Sequence, residues 1–205
     1  MVSSRPHQAS ITRALAHLEF RMYSSTSEPF SLSRDCHAIL VPGGDEVKLP
    51  AGSIGYITQS LGGSFTVYLD GNLFRIAGND AEALGKDVPE PPKLPDGATD
   101  DDVEDLVWQQ MRMCFDPEIP VNIVDLGLVY ECVLSRDEQK NRQVAVKMTL
   151  TAPGCGMGDI LVADVREKIE AIPTIDEADV ELVFDPPWNS TMMTEAARLE
   201  TGMMY

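Results

Sequence analysis

The 205-residue chain carries 16 Lys and Arg against 33 Asp and Glu, a formal net charge of −17. A phosphate backbone or an anionic lipid surface binds through Lys and Arg, so this balance argues against nucleic acid and membrane partners. No apolar run approaches the roughly 18 residues that cross a bilayer, and no apolar stretch with a small-residue cleavage site opens the chain. Cys36, Cys114, Cys132 and Cys155 are widely spaced without a Cys-x-x-Cys pair, which reads as reduced thiols and a cytoplasmic protein.

Residues 1–32 read as a disordered leader. Arg5, Arg13 and Arg21 face only Glu19, faintly like a transit peptide, and Met22 offers a later start, so an early-assigned start is favoured over targeting. Residues 33–85 read as a small β module with strands near 36–41, 54–59, 65–69 and 73–77. Its clearest signal is Asp70-Gly71 between Phe65–Leu69 and Asn72–Ile76, a type I′ hairpin turn in which both central residues need positive φ. Residues 86–102 read as an acidic Pro-rich linker. Between Asp80 and Asp105 ten acids face only Lys86 and Lys93, the pattern of a solvated, self-repelling spacer.

Residues 103–205 read as an α+β domain in the order α-β-β-α-β-α, with helices on one face of a small mixed sheet. Thr99 and Asp102 form a capping-box pattern ahead of Val103, Leu106, Val107, Met111 and Cys114 at helical spacing. Strands are expected near 127–134, 143–150 and 179–184. Leu161, Val165, Ile169 and Ile172 mark a second helix, and 191–201 a third that stops at Gly202.

Chemistry concentrates between a strand and a helix, at Thr151-Ala-Pro-Gly-Cys155-Gly-Met-Gly158. Gly154, Gly156 and Gly158 permit close backbone approach, and Thr151 and Pro153 complete the supporting loop. A thiol at a helix N-terminus is stabilised as thiolate, the form that binds soft metals, attacks electrophiles and exchanges disulfides; Asp159 partly opposes this. Cys114 and Cys132 read as ordinary buried side chains. Asp116-Pro-Glu-Ile-Pro120 holds Asp116 and Glu118 on a stiff loop, as hard ligands, an acid–base pair or simply a turn. In Asp185-Pro-Pro-Trp188, Trp188 reads as a packed corner before a contact point.

The histidines are His7, His17 and His37, so a Cys–His nucleophile pair would have to recruit His37 from the β module. Zinc spacings are missing, and an iron–sulfur centre needs four thiolates. One monomer therefore cannot hold a cluster with Cys155 alone. Two Cys155 loops across a two-fold axis, or one loop with a partner's thiols, could hold one transiently.

Three runs, Asp116–Tyr130, Met148–Gly158 and Phe184–Trp188, closely resemble the SufT-type iron–sulfur cluster assembly family, whose domain is shared with PaaD-type proteins and the eukaryotic cytosolic targeting factor. Val41-Pro-Gly-Gly44, Thr58–Gly63 and Asp80–Gly85 look like the β module that distinguishes SufT. The resemblance implies an accessory, non-enzymatic factor in iron–sulfur protein maturation beside the sulfur-mobilisation (SUF) machinery. Its partners would be apo-proteins and scaffold or carrier proteins, with a homodimer where a cluster is shared. It maps the reactive cysteine, and any metal ligation, to Cys155 and the acidic motif to Asp116 and Glu118. Two other readings stay open: a pure adaptor docking clients through Trp188 and the acidic surface, and a thiol enzyme such as a persulfide transferase.

Overall fold

The computed structural model describes residues 27–116, 119–152 and 156–202. Two sheets with separate hydrophobic cores divide them.

The first sheet has six antiparallel strands: β1 (Glu28–Ser31), β2 (Cys36–Val41), β3 (Glu46–Leu49), β4 (Ile54–Leu61), β5 (Ser64–Leu69) and β6 (Asn72–Ile76), in the spatial order β1-β4-β5-β6-β2-β3. Period-two alternation builds its core. Phe65, Val67 and Leu69 of β5 point inward with Phe74 and Ile76 of β6, while the residues between them face out. The β5–β6 turn is the expected one, with Asp70 at φ 50° and Gly71 at φ 88° and Leu69 paired to Asn72.

Two strands extend the four expected from sequence. β3 is four residues long and mostly exposed, too short for its alternation to stand out. β1 falls inside the expected disordered leader. Glu28–Ser31 pairs with β4, and Phe30 and Leu32 are buried in the core, so the ordered chain starts earlier than Ser33. The earlier part of that leader, residues 1–26, lies outside the described residues.

A 3₁₀ segment, Gly78–Leu84, closes the module with Ala81, Ala83 and Leu84 on its core and ends at Gly85 in the left-handed region. The following stretch has no regular structure, as its prolines dictate. It is nevertheless pinned at both ends. The Pro89 ring lies against Gly63 and Gly78 of the module, and Leu94 packs on the second core.

The second unit follows the expected order: α1 (Asp100–Met111), β7 (Val129–Arg136), β8 (Arg142–Met148), α2 (Gly158–Glu170), β9 (Ile175–Leu182) and α3 (Glu195–Thr201). β8 is central, antiparallel to β7 and parallel to β9. Val144, Val146 and Met148 of β8 are buried, and Ala145 and Lys147 between them are exposed. The helices therefore cover one face and leave the other to solvent. α1 and α2 contribute Val103, Val107, Met111, Val165 and Ile169 to this core. The capping box is made in full: the Asp102 amide donates to Thr99 Oγ1 (3.2 Å), and the Thr99 amide to Asp102 Oδ2 (2.8 Å). Asp100 also receives Arg136 and Arg142 from β7 and β8, at 2.6 and 2.8 Å.

The two units touch. Arg75 of β6 pairs with Asp164 of α2 at 2.7 Å, and Asn79 Nδ2 donates to Glu167 Oε1 at 2.7 Å. Gly62, in the β4–β5 turn, lies against the Met113 carbonyl and the Phe115 ring.

Candidate functional site

β8 runs out at Met148 and hands the chain to the Gly-rich loop. The Thr149 amide donates to the Leu128 carbonyl and the Val183 amide to the Met148 carbonyl, both at 2.8 Å, so the strand end is held from two sides. Thr151 is half-buried. Pro153, Gly154 and Cys155 lie outside the described residues, as does Glu118.

The chain resumes at Gly156. α2 begins two residues later without a side-chain cap, and the Met157 carbonyl accepts from the Leu161 amide at 2.9 Å. Gly158 is buried, and a Cβ there would come within 2.9 Å of Leu150 Cδ1. Its lack of a side chain thus lets the helix start against the strand end. Asp159, in the first turn of α2, is exposed and complements the helix dipole.

The acidic motif begins where α1 gives way to a turn. Asp116 is 8% exposed, and its Oδ1 accepts from the Ile119 amide at 3.0 Å. This carboxylate thus takes a backbone amide three residues on, the bond an Asx turn makes. Phe115, next to it, faces the other motif. A small crevice is lined by Phe115, Met157, Ile160 and Leu161, with Arg75 of the β module on its wall. The structure therefore brings the flank of the acidic motif and the flank of the Cys155 loop to one place.

Trp188 is not at that crevice. It is half-buried against the second core, and its Nε1 donates to the Leu126 carbonyl at 2.8 Å. Tyr130 OH donates to the Pro186 carbonyl at 2.8 Å beside it, and Gly127 lies against Met192. The Asp185–Trp188 corner is thus an anchor for the C-terminal segment, matching the packed-corner reading.

The described thiols are poor nucleophiles. Burial pushes Cys36 and Cys132 each up to about 11. Burial, with the Asp164 charge adding to it, raises Cys114 further. Among the described residues no group of three or more His, Cys, Asp or Glu side chains is arranged to hold a metal ion.

Asp164 is a buried acid of the region with a lowered pKa. Its burial acts to raise the carboxyl, but Arg75 and Lys168, 2.7 and 2.8 Å away, outweigh this and hold it below the usual range. Sequence reading gave Arg75 no role. Its only signal was a lone cation on an alternating strand, and its partner lies 89 positions later. The Pro42-Gly43-Gly44 turn also escaped a chemical reading; its adjacent glycines were the available sign of a close approach.

The α+β unit, in which the flanks of the Gly-rich loop and of the acidic motif share one crevice, is matched over residues 104–182 by the family model described as iron–sulfur cluster assembly protein. The chain is 44% identical over 101 residues to an Fe–S protein maturation auxiliary factor of Porphyromonas gingivalis, covering 49% of this chain and 91% of the relative. It is 37% identical over 91 residues to the Fe–S protein maturation auxiliary factor SufT of Staphylococcus aureus, covering 44% and 99%. With YitW of Bacillus subtilis, described in the same terms, the identity is 30% over 101 residues, covering 49% and 95%. The chain therefore belongs to the SufT-type family of iron–sulfur cluster assembly proteins. The likeness spans about half of it: the Staphylococcus relative is used up over 99% of its length by an alignment to 44% of this chain.

Proposed function

We propose that the chain is a non-enzymatic maturation factor that helps deliver iron–sulfur clusters to apo-proteins, with Cys155 as the thiolate that ligates or hands over the cluster. The observation carrying this reading is the shared crevice, where Phe115, beside Asp116, meets Met157, two residues after Cys155. Supporting it, the relatives above are described as maturation auxiliary factors, and the other three cysteines are buried or half-buried with raised pKa values. That leaves Cys155 as the thiol to which exchange chemistry falls. A single thiolate cannot complete a cluster's ligand set, so the cluster is cargo, shared with a second copy or with a partner's thiols. Its partners are then apo-proteins and scaffold or carrier proteins, and its place of work is the cytoplasm.

The test is anaerobic reconstitution with iron and sulfide, wild type beside Cys155→Ser, followed by activation of an apo iron–sulfur enzyme. A chromophore near half a cluster per chain, lost in the variant together with client activation, is expected. Full client activation by Cys155→Ser would sink the thiol reading. Client binding that survives Cys155→Ser would transfer the function to an adaptor, and a covalent persulfide trapped on Cys155 to a transferase.

A further inference from the structure

The β module leans on the second unit through Gly44, against the Gly156 carbonyl, and through Arg75, which reaches Asp164 of α2. Neither contact involves β7. That strand pairs with β8 on one side and, among the described residues, with no strand on the other. Its eight residues, Val129–Arg136, therefore present an unpaired row of backbone N–H and C=O groups.

Side chains are left open there too. In β8 and β9 the core-facing Val144, Val146, Ala178 and Val180 are all 6% exposed or less. In β7 the core-facing Cys132 and Leu134 are only half-buried, and Val133 on the other face is 45% exposed. The helical layer seals two strands and stops short of the third, so both faces of β7 keep apolar surface in reach of a partner.

The other edges are guarded. β9 carries Glu177, Asp179 and Glu181 exposed on its solvent face. Two copies pairing antiparallel about Asp179 would set Asp179 on Asp179 and Glu177 on Glu181, like charge on like. In the module, β1 and β3 are four residues long, and β1 contains Pro29. Short edges and proline both discourage pairing. β7 has none of these guards. Paired antiparallel with itself about Val133, it sets Val133 on Val133 and Glu131 on Ser135 at the solvent face, with Cys132 on Leu134 at the core face. No like charges meet, and each half-covered apolar side chain meets another.

We propose that β7 is an interface with a second copy of this chain, pairing antiparallel about Val133 and joining two three-stranded sheets into one of six. The self-matched register selects a second copy over an unrelated strand. The two β8 strands then run in opposite directions, with their Met148 ends at opposite ends of the joined sheet. This contact is thus a different one from that in which two copies share a cluster, and it does not rest on that reading.

The experiment is sedimentation equilibrium on the full-length reduced protein from about 10 µM to 1 mM. A dimer is expected with a dissociation constant of order 100 µM, because the contact is small. Association should tighten as salt is raised, since each copy carries a charge of −17. Val133→Glu puts like charges on the axis at an already exposed position, and is expected to weaken association about tenfold with an unchanged circular dichroism spectrum. Ser135→Lys, facing Glu131 of the other copy, is expected to tighten it about threefold. The register is read by mild oxidation and peptide mapping. Val133→Cys should cross-link to itself, since directly opposite residues lie about 4.5–5.5 Å apart at Cα, and Ser135→Cys should not. A chain that stays monomeric to about 1 mM overturns the proposal. If, in that monomer, an apo iron–sulfur client blocks alkylation at Val133→Cys, the strand belongs to the client instead. Association that Val133→Glu leaves unchanged, or a cross-link at Ser135→Cys in place of Val133→Cys, overturns it equally. Neither a cluster nor the Gly-rich loop enters these readouts, so failure of the proposed function would leave them standing.

Discussion

The two units solve the same problem with unequal resources. The β module spreads six antiparallel strands around a core of aromatic and β-branched residues, and its one cysteine, Cys36, is fully buried there. The second unit has three strands and leaves one sheet face bare. Its larger core comes from helices, loops and the C-terminal segment, with Ile123, Leu126 and Leu128 buried outside any regular element. The contrast teaches two ways of filling a core: one unit does it by strand alternation across a continuous antiparallel sheet, the other by helices and irregular segments laid on one face of a small mixed sheet.

The sharpest way to break that arrangement is at the buried ion pair between them. Asp164→Asn strips a charge partner from Arg75 and Lys168, both little exposed, and should cost about 3–5 kcal/mol, seen as a lower urea midpoint. The pH dependence follows from its lowered carboxyl. Asp164 contributes its full stability above the ordinary aspartate value of about 3.9 and loses it as pH falls through its lower folded value. The gap in urea midpoint between wild type and Asp164→Asn should accordingly be widest at neutral pH and shrink toward pH 3. A gap independent of pH would assign the loss to packing.

Next in size, Ile169→Ala removes a fully buried side chain from the second core and should cost about 3 kcal/mol. Because the cores are separate, its effect should add to that of Val67→Ala in the module within about 0.5 kcal/mol in the double variant. A larger coupling would show that the two regions unfold as one block. The smallest effects test local devices. Thr99→Ala loses the capping box of α1, about 1 kcal/mol. Trp188→Phe keeps the ring contact but strands the Leu126 carbonyl, also about 1 kcal/mol. If Trp188→Phe instead leaves stability intact and abolishes client binding, the corner is a contact surface.

What could be read from sequence follows from how local each cause is. The Asp70-Gly71 turn, the Thr99 cap and the apolar stripes of α1 and α2 are written in neighbouring residues, and all four appear where expected. β9 begins at Ile175 where 179 was expected, because its N-terminal half alternates too weakly to stand out beside its acids. β1 was hidden for a similar reason: four residues beside a basic leader, stabilised by pairing with β4 some 26 positions away. In the site, the Gly-rich loop and the acidic turn were recognisable as separate motifs. Their meeting at Phe115 and Met157, and the arrival of Arg75 and Gly44 from the other unit, depend on tertiary contacts spanning up to 112 positions. No local pattern encodes such a contact.

The doubly pinned connector has a kinetic consequence. Between Pro89, held on the module, and Leu94, held on the second core, the chain has five residue steps, with an outstretched reach of about 17 Å. While both pins hold, the module cannot drift away when the glycine contact opens. It stays within a search volume equivalent to a millimolar local concentration of itself and returns without a diffusional encounter. An interface weaker than one that must join two separate molecules is then sufficient to keep the two units together.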